Sequence, residues 1–247
     1  MKDTAAEEAR VANDDMKVIT VMTRKGGAGK TTLTQALLSA AISQGKRCLA
    51  LDADPQQGLH RWLYEVAQDE PLLTFRQLEF AADLGKAADE AYESGEVDLI
   101  FVDTQGAAEA WADELAAQSD ILVVPMKLGK TDYLITTDTV NWYAGLLDRV
   151  DKPELLPELR VIVSGATMKP NKTEQEYEAL AVRNFPVLPT YFMYRKQHLD
   201  AGANGFLHKL ADAKRNSTFG LERRHAQHFD EAVKEASAML DEILGEV

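Results

Sequence analysis

The sequence predicts an α/β fold in three layers, a mostly parallel twisted sheet flanked by helices on both faces. Two observations carry this. Short apolar, β-branched runs alternate with longer Ala/Leu-rich runs of good helix formers, the pattern of strand–helix–strand units. Several apolar runs also end in an aspartate, as buried parallel strands do where they leave a sheet. With 45% hydrophobic and 27% charged residues, the 247-residue chain has the apolar material for a folded core.

Taken in order, Met1–Asp15 is polar and rich in Ala, Glu and Asp. It lacks the basic-then-apolar layout of a secretory leader and is expected to be a flexible tail, leaving 16–247 as one domain. Lys17–Thr23 alternates and is β-branched, so it predicts a strand. Arg24–Gly29 is a Gly-rich loop, and Lys30–Gln44 a helix stopped by Gly45. Arg47–Ala53 predicts the second strand, Gly58–Val66 a helix, Leu73–Phe80 a strand and Ala82–Glu93 a helix ended by Gly95. Val97–Asp103 and Ile121–Pro125 predict buried parallel strands, followed by a long helix over Thr131–Val150. Arg160–Ser164 predicts a strand, Thr173–Arg183 a helix and Val187–Thr190 a short last strand. From Lys196 onward the pattern is helical, with a loop near Asn216–Gly220.

Composition excludes several classes. No apolar run approaches the ~18 residues of a membrane span, so no membrane partner and a cytoplasmic location are expected. The single cysteine, Cys48, sits in an apolar run and is expected to be a small buried hydrophobe; one thiol cannot close an internal disulfide. The net charge of −13 means that any nucleic-acid contact must rest on a local patch.

The strongest chemical signal is Lys25-Gly26-Gly27-Ala28-Gly29-Lys30-Thr31-Thr32, placed between a strand and a helix. Glycines let backbone N–H groups turn inward onto phosphate oxygens, and the helix N-terminus adds partial positive charge there. Lys30 is placed to reach the β/γ-phosphates, the Thr31 hydroxyl to ligate Mg²⁺, and Thr32 to donate to the α-phosphate. This is the context of a P-loop NTPase fold. Two acidic segments join it. Ala50-Leu51-Asp52-Ala53-Asp54-Pro55-Gln56 carries two carboxylates with strand spacing, able to converge on one site, at the sheet edge where α/β proteins bind ligands. Leu99-Ile100-Phe101-Val102-Asp103-Thr104-Gln105-Gly106 delivers Asp103 to the same edge. No Asn-Lys-x-Asp or Thr-Lys-x-Asp follows a strand, which favours ATP over GTP.

The phosphate loop departs from the ordinary P-loop pattern, with Arg24 where its first glycine would stand and a second lysine, Lys25, just before the glycines. That form resembles the deviant Walker A motif of the ParA family of partition ATPases, and the resemblance spans about residues 16–245. It implies an ATPase that dimerises with ATP, is slow without a partner, and positions DNA or other cargo together with an activator protein of the ParB kind. It implies that Lys25 reaches the partner subunit's phosphates, that Asp52 supports the Mg²⁺ shell with Thr31 and Asp103, and that Asp54 positions the attacking water. Gly106 would bring an N–H near the γ-phosphate, although many members have proline where this chain has Gln105. Val187-Leu188-Pro189-Thr190 resembles the family segment beside the adenine, so Pro189 is expected near the base.

The region from Thr190 to His228 holds seven basic residues (Arg195, Lys196, Lys209, Lys214, Arg215, Arg223, Arg224) against Asp200, Asp212 and Glu222, a net of +4 in a chain of −13. A positive island of this kind is the footprint of a phosphate-backbone contact. By resemblance, Lys209, Lys214, Arg215, Arg223 and Arg224 are expected to bind double-stranded DNA without sequence preference, which would place the protein on the nucleoid. The order Arg195-Lys196 … Gly202 … Gly205 … His208-Lys209 and a long final helix is similar to the VirC-type branch, which assists DNA transfer between cells. The MinD type, which cycles on membranes, needs a basic amphipathic C-terminus; here Ala238–Val247 is acidic.

Overall fold

A computed structural model describes residues 12–105 and 109–246. In chain order its elements are β1 (Lys17–Val21), α1 (Lys30–Ser43), β2 (Cys48–Ala53), α2 (Gly58–Val66), β3 (Leu73–Gln77), α3 (Asp83–Ser94), β4 (Leu99–Thr104) and α4 (Glu109–Ala117). Then follow β5 (Ile121–Met126), α5 (Lys130–Leu147), β6 (Glu158–Ala166), α6 (Lys172–Asn184), β7 (Phe192–Met193), α7 (Lys196–Asn204), α8 (Leu207–Arg215) and α9 (Gly220–Leu244). The seven strands form one sheet in the order β3-β2-β4-β1-β5-β6-β7, and every pairing is parallel.

The period of two along the strands sets the layers. Ile19, Val21, Ala50, Phe101, Val123 and Ile162 face a core built with α1, α2, α8 and α9. Their neighbours Val18, Leu49, Leu51, Ile100 and Val102 face the other side, where Leu84, Ala87 and Leu115 cover them. Leu122, Val124 and Val161 continue that second layer under Ala112, Leu146 and Ala181. Every residue of β2, β4 and β5 is buried, which explains why these strands read as unbroken apolar runs.

Three expectations change. Helix α4 was not foreseen: its sequence, EAWADELAA, has little apolar contrast between faces. The last strand is Phe192–Met193 instead of Val187–Thr190. Val187 makes only an isolated bridge to Val161, and the prolines at 186 and 189 remove donors on both sides of it. The expected tail falls mostly outside the described residues, but its end is fastened. Asn13 Nδ2 donates to the Val97 carbonyl (2.8 Å), and the Tyr92 hydroxyl donates to Asp14 (2.6 Å).

Candidate nucleotide site

The ends of β1, β2 and β4 lie side by side in the sheet, so the phosphate loop and both acidic segments leave it at one edge. Gly27 and Gly29 take positive φ (75° and 92°), a conformation glycine adopts without strain. A Cβ on Gly29 would also come within 3.3 Å of Ser164 Oγ. The loop is tied down from two later strands: Ser164 Oγ donates to the Ala28 carbonyl (3.3 Å) and Lys127 Nζ to the Gly27 carbonyl (2.8 Å). Neither contact is a motif, and only the three-dimensional path of β5 and β6 reveals them.

Lys30, at the first position of α1, is buried and leans back to the Lys25 carbonyl (3.4 Å). Burial lowers its pKa, against the pull of Asp103 and Asp54. Thr31 Oγ1 donates to Asp103 Oδ2 (2.6 Å), so the expected pair is together. Thr34 also donates to Asp103, at 3.4 Å, and was missed because it lies beyond the motif. Asp103 and Asp52 are register partners on adjacent strands, each 1% exposed. Burial pushes the Asp103 pKa up to about 7, the charges of Asp52 and Asp54 add to it, and Thr31 and Lys30 oppose it.

Asp52 has a further use. Its Oδ1 accepts the Asp54 N–H (2.9 Å) and its Oδ2 the His60 N–H (2.8 Å), which fastens the segment between β2 and α2. Burial raises its pKa, and these backbone bonds oppose the rise. Asp54 Oδ1 accepts the Gln56 N–H (2.9 Å), closing a local turn. Lys25 is partly exposed and pairs with Asp132 Oδ2 (3.1 Å) in the first turn of α5, a partner the sequence did not suggest. Pro189 is exposed in a bend beyond the sheet. Gly106 lies outside the described residues.

The C-terminal cations are mostly engaged by the chain itself. Lys209 pairs with buried Glu70 (2.6 Å), and Arg215 with Asp212 and Asp230. Arg195 pairs with Glu231 and Glu235. Lys214 Nζ sits 5.2 Å from the centre of the Phe229 ring, and Arg223 donates to the Ser217 and Thr218 carbonyls (2.8 and 3.0 Å). Arg224 and Lys196 have no such partner among the described residues.

An all-parallel sheet with a Lys-bearing phosphate loop and aspartates at neighbouring strand ends defines a P-loop protein, and its relatives make it one of the ParA type. The chain belongs to the VirC1 family, described as VirC1 protein, which matches residues 16–246. It is 28% identical over 235 residues to the protein virC1 of Rhizobium radiobacter, covering 93% of this chain and 99% of that one. It is also 28% identical over 206 residues to the maintenance of carboxysome distribution protein A of Gloeobacter kilaueensis, covering 76% and 82%. Among solved structures, apo McdA of Cyanothece superposes with a TM-score of 0.64 at 16% identity, covering 90% of this chain and 99% of that one. pNOB8 ParA gives 0.61 at 16% identity, covering 92% and 99%. Among the described residues, no helix is long and apolar enough to cross a membrane.

Proposed function

We propose that this protein is an ATP-driven switch that dimerises around bound ATP, binds duplex DNA in that state, and is reset by hydrolysis that a partner protein stimulates. The observation that carries it is the convergence of Lys25, Lys30, Thr31, Asp54 and Asp103 on one sheet edge. Relatives of the same fold support the ligand: Cyanothece McdA was solved as an ATP complex, and a putative plasmid partition protein of Borrelia burgdorferi with AMPPNP.

In this reading, the loop amides and Lys30 hold the phosphates, and Lys30 offsets charge developing on the γ-phosphoryl group. Asp54 orients the attacking water. The oxygen-rich pair Thr31–Asp103, with the Asp52 carboxylate in register beside it, would suit a hard cation such as Mg²⁺. Thr31 and Asp103 would hold the ion, whose charge would offset that of the phosphates. Asp52 acts mainly by holding the Asp54 loop in place.

The DNA-binding part of the proposal moves partly away from the expected island. Lys130, Lys169, Lys172 and Lys196 follow β5, β6 and β7, which are neighbours in the sheet, and none has a carboxylate partner among the described residues. Together with Arg224 they supply cations free to meet phosphates.

The test is sedimentation with a non-hydrolysable ATP analogue. Wild type should dimerise. Lys25→Ala should stay monomeric at the same concentration while still binding nucleotide, because the lysine offsets the charge of two facing triphosphates. Equal monomer–dimer equilibria in the two proteins would remove the switch reading.

A further inference from the structure

We propose that the turn between α8 and α9 is an apolar wedge that enters the minor groove of duplex DNA, with Phe219 and Leu221 against the base steps and adjacent cations on the phosphates. This rests on the DNA-binding reading above and adds a mode of engagement to it.

Eight consecutive residues, Thr218–His225, are exposed, and Ala226 is the first of α9 to be buried. Helix α9 therefore begins clear of the body. At its start stand Phe219 (70% exposed) and Leu221 (67% exposed), two large apolar side chains for which the fold provides no cover. They are presented on a turn held from several sides. Arg223 Nη1 donates to the Ser217 and Thr218 carbonyls, the Phe219 N–H donates to Ser217 Oγ (3.1 Å), and Ser217 Oγ also bonds Glu222. Below it, the Arg215–Asp230 pair and Lys214 over Phe229 lock α8 to α9. Little ordering remains to be done on binding.

The surrounding charge selects the occupant. Arg224 has no partner among the described residues and Arg223 none that is a carboxylate, and with Glu222 in the same turn Thr218–His225 keeps a net charge of +1 on a chain of −13. An anionic bilayer is a broad flat surface that would also face the negative body. A duplex is a narrow rod that a projecting tip can meet alone, and apolar wedges flanked by cations are how proteins open minor-groove steps. A second copy would bring like charge to like charge, and two apolar side chains fall well short of the ~800 Å² per partner of a stable interface.

The experiment uses the full chain with a non-hydrolysable ATP analogue and a 30-bp duplex labelled at both ends for energy transfer. Wild type should bind and draw the ends together, reporting a bend of about 20° or more. The double variant Phe219→Ala/Leu221→Ala should bind about tenfold more weakly, near the loss expected for one buried apolar side chain, and should not bend the duplex. Its log–log salt slope should stay at the wild-type value, whereas Arg224→Glu should lower that slope by about 0.9 and keep the bend. Both sites are exposed, so unchanged thermal unfolding serves as the folding control. If wild type binds DNA and the double variant matches it in affinity and bend, the wedge is wrong and DNA binding stands. If wild type does not bind DNA at all, the DNA reading falls and the wedge with it. If the double variant loses binding to phosphatidylserine vesicles while binding and bending DNA like wild type, the tip is a lipid contact and the proposal is overturned.

Discussion

The phosphate loop and the C-terminal helices are two basic regions of this acidic protein, and they use their cations in opposite ways. In the loop, Lys30 is buried with a single long contact to a carbonyl, and Lys25, itself partly exposed, has one partner that is mostly buried. In α7–α9, Arg195, Lys209 and Arg215 are paired with carboxylates, Lys214 lies on an aromatic ring and Arg223 holds a turn. A cation that the fold leaves underused is the better guide to a ligand. A cation count along the sequence overstates a patch whenever its partners sit far away in the chain, as Glu70 does from Lys209.

That contrast can be broken first at the loop. Lys30→Ala should abolish turnover and productive nucleotide binding, and Asp54→Ala should slow phosphate release about 100-fold or more while MgATP binding survives. Filter binding beside a phosphate-release assay separates them, and normal turnover in Asp54→Ala would strike that residue from the mechanism. In the helices, Lys209→Glu should leave the salt dependence of DNA binding unchanged, because its charge already faces Glu70. Lys169→Glu with Lys172→Glu should lower the log–log slope by about 2. The reverse result in a salt-series titration would return the DNA surface to the C-terminal island.

Two smaller effects sharpen the comparison. Asp132→Ala releases Lys25 from its partner before dimerisation. A partly exposed pair contributes at most about 1 kcal/mol and each dimer releases two, so the ATP-dependent dimer should tighten by up to about thirtyfold in sedimentation. Weaker dimerisation would mean that Asp132 supports the dimer directly. For Glu70, burial alone would raise the pKa, but the bonds from Lys209 and the Leu72 N–H outweigh it and lower it from 4.5. Its contribution to stability is complete above 4.5 and is lost as pH falls through the lower folded value. Urea unfolding of Glu70→Gln should therefore show a shallower loss of stability on the acid side than wild type, and identical slopes would show that the pair is not coupled to folding.

Most of the sheet was legible because its strands are buried on both faces and flanked by glycines at turns. The loop residues were legible because their spacing is itself the geometry. Ser164, Lys127 and Asp132 were not, since nothing local marks a residue that reaches the loop from a part of the chain 100 or more positions later. Helix α4 escaped because Ala-rich sequence under a sheet needs little contrast between faces. The last strand shifted because the prolines around Val187 block a ladder that its β-branched residue would otherwise favour.

The strand order also dictates when the candidate nucleotide site can first assemble during synthesis. β1 carries the phosphate loop and is made first, yet its two neighbours are β4 and β5, not β2. One flank of that strand stays bare until β4 ends at Thr104, and the other until the chain has reached Met126, half its length. At roughly 5–20 residues per second, the nascent loop waits between about 5 and 20 seconds for the strands that position it. Throughout that interval β1 and the apolar helix behind it are surface that a chaperone must shield, and no fragment ending before β5 should retain ATP.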